Sequence, residues 1–237
     1  MSGQAAARMG LTWDTDAVID AGTRSRLQTY LRELHRFNQR INLTTVAEEQ
    51  AWQRHVDESR RLLQLIQPVA RARVVDIGSG AGVPGIPMAV LRDDLRVTLL
   101  DADERRCGFL LHVCGVLGLQ QVTVVCRRAE VFGHDPDARE AFDCAVSRAA
   151  APPPVLCELA LPLVRVGGVA GWLVGDAVTA ATQCAYAARS CGGGLPQAAD
   201  ADIVTVIKEA STPTRFPRRT GVPARRPLLA APGDDPV

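Results

Sequence analysis

The sequence lacks a strong net charge and a long apolar run, and we expect no secretory leader. Its 237 residues carry 27 Lys and Arg against 26 Asp and Glu, so the net charge is only +1. No window approaches the ~18 consecutive apolar residues of a membrane span. The start of the chain contains Arg8 but no apolar h-region. We therefore expect a cytoplasmic protein in which a local basic patch, rather than the overall charge, would hold any nucleic acid.

The cysteines lack the spacing of metal sites. Seven are scattered along the chain, with no C-x-x-C pair and no histidine at ligand spacing. Cys107 and Cys114 lie on one predicted helix and could meet a ligand pair elsewhere. Most of the others lie among Val, Leu and Ala, where a free thiol packs as a small apolar side chain. We expect packing and no bound metal.

One segment, Val74–Gly85, is rich in glycine and reads VVDIGSGAGVPG. Its apolar start predicts a buried strand that runs directly into a glycine turn, and a helix is predicted to follow. Glycine takes positive φ at no cost and lets a ligand approach the backbone closely. The first N–H groups of the helix have no partner within it and face whatever lies over the turn. The segment therefore predicts a cradle for a nucleotide-type cofactor.

The apolar pattern predicts an α/β fold with a Rossmann-like sheet, typical of class I S-adenosylmethionine-dependent methyltransferases among others. Residues 1–70 are predicted to form a helical extension that packs on the core, with two helices joined near Asn42–Thr45. Residues 71–237 form the main domain, with a largely parallel sheet and helices on both faces. Strands are predicted at 73–77, 96–100, 121–126, 142–147, 168–174 and 202–208, and helices at 85–91, 103–117, 153–164 and 176–190.

An acidic residue ends the second predicted strand, about 20 residues beyond the glycine turn. Folds of this kind place an acid there to accept hydrogen bonds from ribose hydroxyls, which NAD and S-adenosylmethionine both carry. Taken alone, Asp76 could cap the turn and Asp101 could cap a helix, but their joint spacing favours a ligand. A dehydrogenase usually opens with the glycine turn, whereas some 70 residues precede it here. S-adenosylmethionine is favoured, and NAD stays open.

Several motifs together resemble the GidB/RsmG family, the guanine-N7 methyltransferases of small-subunit (16S) ribosomal RNA. The resemblance runs from about Leu27 to Pro227. The glycine turn alone would be generic to methyltransferases. The more specific marks are FNQRINLT at 37–44, Arg54-His55, VPGIP at 83–87, Ser147-Arg148-Ala149, and FPRR at 216–219 with Gly221 and Pro223.

This resemblance implies a set of cofactor-binding residues and one catalytic residue. Arg148 closes the site beside the methyl-transfer centre, and it also follows a predicted strand at the carboxyl edge, where open α/β sheets bind ligands. The implied contacts with S-adenosylmethionine are Gly78, Gly80 and Val83 for the methionine and sugar part, Asp101 for the ribose, Ala129 and Glu130 for the adenine, and Arg148.

The implied chemistry agrees with what the sequence omits. Guanine N7 has an unprotonated in-plane lone pair, so its methylation needs no general base. Amino-group methyltransferases tend to carry an Asn/Asp-Pro-Pro-aromatic tetrapeptide after the fourth strand, where this chain has Ser147–Ala150. No Pro-Cys pair is present to supply the nucleophile of a pyrimidine-C5 enzyme. We expect His55 to pack or to hydrogen-bond the N-terminal helices to the sheet.

Arginines are the predicted contacts with RNA, and each phosphate contact would add a salt-dependent term to binding. The prolines of residues 213–227 forbid a regular helix and stiffen the segment. Residues after Leu229 are expected to form a loose tail. The family implies a monomer acting on 16S rRNA, within the 30S subunit or its precursor. The predicted RNA-binding residues are Arg105, Arg128, Arg218, Arg219, Arg225 and Arg226, with Arg106, Arg127 and Arg148 as further candidates.

The chain also departs from the family pattern. Val174 stands where the family commonly has a lysine, Arg105 replaces a lysine, and Glu58 replaces an aspartate. The missing lysine leaves an alternative open, a diverged paralogue that acts as a non-catalytic RNA-binding assembly factor or methylates another RNA. The intact glycine turn, Asp101 and Arg148 argue against loss of the cofactor site.

Overall fold

The computed structural model describes residues 19–229. Its helices are α1 (Ala21–Asn38), α2 (Glu58–Ile66), α3 (Gly85–Leu91), α4 (Glu104–Leu117), α5 (Ala129–Phe132), α6 (Pro153–Ala160), α7 (Ala177–Ser190) and α8 (Val222–Arg225). A 3-10 turn (Glu48–Gln50) and a π-helical turn (Trp52–Asp57) lead into α2. Its strands are β1 (Arg73–Ile77), β2 (Arg96–Asp101), β3 (Val122–Cys126), β4 (Phe142–Arg148), β5 (Val164–Leu173), β6 (Gln197–Asp200) and β7 (Ile203–Ile207).

The strands form one seven-stranded sheet in the order β3-β2-β1-β4-β5-β7-β6. Strands β1 to β5 pair in parallel, whereas β7 runs antiparallel to both β5 and β6. The strand order reverses between β1 and β4, and a crevice opens at such a point outside the carboxyl ends of the strands. The predicted Rossmann-like α/β fold is confirmed.

Helices cover both faces of the sheet, as the sequence pattern predicts. Apolar side chains of α1 to α4 share one core with β1 and β2, and those of α6 and α7 pack on the opposite face. Six of the seven cysteines are buried, Cys126 is exposed, and all seven are free thiols. Packing of the cysteines is therefore confirmed at every position except Cys126.

The structure differs from the sequence prediction in several features, including the short helix α5 and the start of β5 at Val164, neither of which the pattern predicts. The helix predicted at 153–164 ends at Ala160. Leu161 keeps helical φ and ψ, but Pro162 has no N–H to donate to the carbonyl four residues earlier, so the helix does not continue. Strand β6 was not predicted, since its side chains are all exposed and show no apolar alternation. Strand β7 is antiparallel to its neighbours. The segment 213–227, predicted to hold no regular helix, contains the single turn α8, in which Pro223 sits near the start, where no N–H is needed.

The N-terminal helices pack directly on the main domain. The loop between α1 and the helical turns that precede α2 includes Asn42–Thr45, as predicted, and α1 and α2 share their core with α3 and α4. The boundary near residue 70 remains a prediction. The first 18 residues of the predicted extension and the tail after Leu229 lie outside the described residues. Within residues 19–229, no helix is long and apolar enough to cross a membrane.

The only lysine in the sequence, Lys208, is fully buried at the end of β7. Its Nζ donates to the carbonyl of Leu161 and to Oγ1 of Thr212, both at 2.5 Å, and lies 3.2 Å from Oε1 of Glu140. These contacts satisfy a charge that would otherwise be costly to bury. Lys208 therefore fixes the start of the C-terminal segment on the core.

Candidate functional site

A cavity of about 1100 Å³ opens at the carboxyl edge of the parallel strands, above the point where the strand order reverses. Residues far apart in sequence meet there because β1, β2 and β4 all end at this edge. Ten of the predicted residues line the cavity: Gly78, Gly80, Val83, Asp101, Arg106, Arg127, Arg128, Ala129, Glu130 and Arg148.

The glycine turn forms the floor of the cavity. Gly78, Gly80 and Gly82 adopt φ values of +67°, +53° and +88°, which side chains of L-residues rarely tolerate. A Cβ on Gly78 would overlap the Cβ of Ala150, and a Cβ on Gly82 would lie within 2.9 Å of Ile86 Cγ1. The turn thus requires glycine for its backbone geometry and for the close packing beneath it.

Asp101, at the end of β2, directs its carboxylate into the cavity while the backbone holds it in place. Oδ2 accepts the N–H of Gly80 at 2.8 Å, and Oδ1 accepts the N–H of Asp103 at 2.9 Å. Each oxygen keeps further acceptor capacity. The side chain is therefore already oriented to accept hydrogen bonds from hydroxyl groups of a ligand.

Asp76, at the end of β1, supports the turn from below. It is fully buried, and its Oδ2 accepts the N–H of Gly85 at 3.0 Å while Oδ1 has no partner. Burial raises the pKa of Asp76 to about 7, although the hydrogen bond from Gly85 opposes this shift. The hydroxyl of Tyr30 donates to the carbonyl of Ala81 at 2.9 Å, so α1 also holds the turn.

Ala129 and Glu130 begin α5 on the side of the cavity predicted to hold adenine. Oε1 of Glu130 accepts the N–H of Gly221 at 2.8 Å, which connects α5 to the C-terminal segment. Glu130 thus has a structural partner, and the contact of either residue with adenine remains a prediction.

The opposite side of the cavity is formed by residues that the sequence did not identify as a site. The loop at 42–46 lines it, and Asn38 shapes this loop by accepting the N–H groups of Leu43 and Thr44 at 2.7 and 2.9 Å. Arg54 and Glu58 also line it. The motifs FNQRINLT and Arg54-His55 marked the family, but their spacing gave no sign that they face the glycine turn.

His55 lies behind this side and does not line the cavity. It is fully buried, and its Nε2 lies 3.5 Å from Oγ1 of Thr44. Burial lowers the pKa of His55 to about 3, so the imidazole is neutral at physiological pH. The expectation that His55 packs is confirmed by its burial, and the hydrogen-bonding contact that the structure gives it is with the 42–46 loop; a role in joining the N-terminal helices to the sheet stays a prediction.

Arg148 ends β4 and connects the two sides of the cavity. Its side chain is 17% exposed, its Nη1 donates to the carbonyl of Arg54, and Nη1 lies 3.6 Å from Oε2 of Glu58. The next residue, Ala149, adopts φ +52°, an uncommon conformation for a residue with a Cβ. The chain therefore turns sharply after Arg148, and Arg148 lies at the carboxyl edge of the sheet.

The remaining predicted arginines lie around or beyond the rim. Arg128 lines the cavity and Arg105 is exposed in the first turn of α4, as are Arg219, Arg225 and Arg226 in the C-terminal segment. Arg218 points inward, and its Nε and Nη2 donate to Glu158 at 2.8 and 2.6 Å. The structure thus gives Arg218 a structural partner, and its contact with RNA stays a prediction.

The residues that line this cavity fit S-adenosylmethionine. The open positive-φ turn admits a close ligand, Asp101 offers acceptors for a ribose, and Leu100 and Val83 supply apolar contact. Pockets of ~300–1,000 Å³ hold drug-sized ligands, so this cavity has room for a cofactor together with part of a substrate.

Comparison with known proteins gives a consistent family assignment. The family model GidB, described as rRNA small subunit methyltransferase G, matches residues 23–198. A ribosomal RNA small subunit methyltransferase G from Roseiflexus castenholzii is 39% identical over 210 residues, covering 84% of this chain and 89% of that protein. One of the same name from Moorella thermoacetica is 34% identical over 226 residues, covering 91% and 94%.

A solved structure supports the fold alone. The SAM-dependent O-methyltransferase from Thermotoga maritima superposes with a TM-score of 0.51 at 13% identity, covering 76% of this chain and 72% of that one.

Proposed function

The chain belongs to the GidB family of rRNA small subunit methyltransferases G, and from this premise we propose that it methylates N7 of a guanosine in 16S rRNA. It is an S-adenosylmethionine-dependent rRNA methyltransferase. The target atom and the roles of individual residues are our proposal. The two relatives described above are both named as methyltransferases, which does not favour the alternative of a non-catalytic assembly factor.

One observation carries the proposal. The glycine turn, Asp101, Arg148 and the 42–46 loop all line a single cavity. Gly78, Gly80, Val83 and Asp101 would hold the methionine and ribose parts of the cofactor, with Ala129 and Glu130 beside the adenine. The side at Arg148 would then receive the target base.

The chain's own residues need only bind and align the reactants. S-adenosylmethionine, when bound, supplies an electrophilic methyl group. Guanine N7 carries no proton, so no residue has to act as a base, and His55 is buried and neutral. Positioning alone can lower a barrier by ~7–11 kcal/mol. Alignment of the cofactor and the base is therefore the contribution that we propose for the cavity.

Exposed arginines would hold the RNA backbone. Arg105 and Arg128 lie beside the cofactor edge, and Arg219, Arg225 and Arg226 extend the positive surface along the C-terminal segment. Glu130 accepts the N–H of Gly221, and Glu158 accepts hydrogen bonds from the backbone and the side chain of Arg218. The C-terminal segment is therefore held in place on the core. Each arginine that contacts a phosphate would contribute to the salt dependence of binding.

Three further properties belong to the same proposal. We propose that the enzyme acts in the cytoplasm, because its rRNA substrate would be met there, and that its partner is the 30S subunit or its precursor. We propose that the enzyme acts as a monomer, as the family resemblance implies. Size-exclusion chromatography with light scattering tests the oligomeric state.

The deciding experiment uses purified protein, methyl-labelled S-adenosylmethionine, and either naked 16S rRNA or 30S subunits from a strain that lacks this methyltransferase. Borohydride reduction followed by aniline cuts RNA at N7-methylguanosine and locates the product. We expect one cleavage site in at least one of the two substrates. Label without cleavage would show another target atom, and absence of label in both would contradict the proposal.

A further inference from the structure

Three charged side chains from separate segments meet at the substrate side of the cavity. Arg54 belongs to the π-helical turn, Glu58 begins α2, and Arg148 ends β4. Nη1 of Arg54 lies 2.5 Å from Oε1 of Glu58, and Nη1 of Arg148 lies 3.6 Å from Oε2 of the same carboxylate. Glu58 therefore bridges two arginines, using one oxygen for each.

Because Glu58 and Arg148 are both shielded from water, each needs the opposite charge of the other. Glu58 is 8% exposed, and a carboxylate so shielded from water needs charged partners. Burial raises the pKa of Glu58, and Arg54 and Arg148 counteract this shift. Burial likewise lowers the pKa of Arg148, and Glu58 is among the groups that oppose it. Each side chain thus stabilises the ionised form of the other.

The contacts leave one edge of the Arg148 guanidinium available. Nη1 donates to the carbonyl of Arg54 and faces Glu58. Within residues 19–229, neither Nε nor Nη2 of Arg148 donates a hydrogen bond. A guanidinium is planar, so fixing Nη1 also fixes the direction of the other donors. Those donors are free to contact groups inside the cavity.

We propose that Glu58 is a positioning residue for methyl transfer, which holds Arg148 so that its unoccupied donors face the reacting groups. This inference rests on the proposed function. Glu58 does not act as a base, because N7 has no proton to remove. As an anion it does not bind phosphate. It acts through Arg148.

The test is a double-mutant cycle with Glu58→Gln and Arg148→Gln, measured as kcat/KM on the 30S or 16S rRNA substrate. Glutamine keeps the size of each side chain but removes its charge. We expect Glu58→Gln to lower kcat/KM about tenfold in the wild-type background and by less than about twofold beside Arg148→Gln. An equal loss in both backgrounds, or no loss in the wild type, would overturn the inference.

Two further variants separate positioning from folding. Glu58→Asp keeps the carboxylate, and we expect it to recover most of the activity that Glu58→Gln loses. Glu33→Gln is the matched control, because Glu33 also pairs with two side chains, Arg36 and His112, but does not line the cavity. Thermal unfolding of each variant shows whether it is folded. A folded Glu58→Asp as inactive as Glu58→Gln would contradict the proposal.

The pH profile supplies a readout that a merely structural role would not change. The charged groups that act on Glu58 are Arg54 in the π-helical turn, Arg61 on α2, Arg148 at the end of β4 and Asp202 just before β7. Protonation of Glu58 at low pH would remove the charge that holds Arg148, so the kcat of the wild type should decrease at low pH. In Glu58→Gln this decrease should be smaller, because the variant has no carboxylate at this position to protonate. Identical profile shapes would overturn the inference. A wild type inactive on both substrates would instead refute the proposed function, and this inference with it.

Discussion

Arg218 and Glu158 form an ion pair in which the carboxylate is fully buried beneath the C-terminal segment. The backbone N–H and Nε of Arg218 both donate to Oε1 at 2.8 Å, and Nη2 donates to Oε2 at 2.6 Å. This hydrogen bonding to Glu158 raises the pKa of Arg218. Its neighbour Arg219 is exposed. Two adjacent arginines of one motif therefore face different environments.

We expect Arg218→Gln to lower the free energy of unfolding by about 2–3 kcal/mol, because it leaves Glu158 buried without a cation while the backbone bond remains. Arg219→Gln should change stability by less than about 0.5 kcal/mol. It should instead reduce the slope of log K for RNA against log salt by about 1. Urea unfolding and RNA binding at several salt concentrations measure the two effects. Equal stability of the two variants would contradict the structural role of Arg218.

Alanine should have opposite effects at two glycines, Gly78 in the glycine turn and Gly115 in α4. Gly78→Ala should destabilise the protein by about 1–3 kcal/mol, since its φ is positive and the new Cβ overlaps Ala150. It should also weaken S-adenosylmethionine binding at least about tenfold by distorting the floor of the cavity. Gly115→Ala is the control, because a Cβ there meets nothing within 4 Å, and it should stabilise α4 by about 0.5–1 kcal/mol. Calorimetry measures both quantities, and unchanged binding in Gly78→Ala would exclude a cofactor at the turn.

Asp101→Asn tests the proposed ribose contact. Asparagine has one acceptor oxygen, so the N–H groups of Gly80 and Asp103 can no longer each bond a carboxylate oxygen. We expect S-adenosylmethionine affinity to fall about 10- to 100-fold, the usual value of a hydrogen bond to a charged group. Asp20→Ala removes the N-cap of α1 and should cost about 1 kcal/mol of stability without changing cofactor affinity. If titration calorimetry finds the same affinity for Asp101→Asn as for the wild type, Asp101 does not contact the ligand.

Asp76 predicts a pH dependence of stability with a defined sign. Its pKa is about 7 in the folded protein against an ordinary 3.8, so between these values the folded state binds more protons than the unfolded state. The contribution of Asp76 therefore lowers the free energy of unfolding as pH rises through this window, by at most ~1.4 kcal/mol per pH unit. Above about pH 7 the contribution of Asp76 to the free energy of unfolding no longer changes with pH.

Asp76→Asn should remove this contribution. The amide oxygen can still accept the N–H of Gly85, and the amide nitrogen replaces an oxygen that has no partner. The stability of the variant relative to wild type should therefore improve by at least about 1 kcal/mol between pH 5 and pH 8. Urea unfolding at several pH values measures it. Parallel stability curves would show that Asp76 does not titrate in this range.

Sequence reasoning located the cofactor side of the cavity better than the substrate side. Asp101 and Gly78 follow neighbouring strands, and the carboxyl ends of parallel strands share one edge, so their proximity follows from the pattern. Arg54 and Arg148 meet across 94 residues through the packing of α2 on the sheet, which no local spacing encodes. Arg218 faces inward because Glu158 lies beneath it, and a segment rich in Pro and Arg does not show which of its guanidinium groups are buried.

The burial of Lys208 has a consequence for how experiments on this protein should be designed. Every other basic side chain apart from histidine is a guanidinium, which stays protonated throughout the range in which proteins are handled. The affinity of these arginines for RNA should then depend on ionic strength but hardly on pH. A change of kcat with pH would therefore report groups that line the cavity rather than the surface that holds RNA. Reagents that attack primary amines should likewise leave the outer surface almost untouched, which makes them unsuitable for cross-linking or tethering the enzyme.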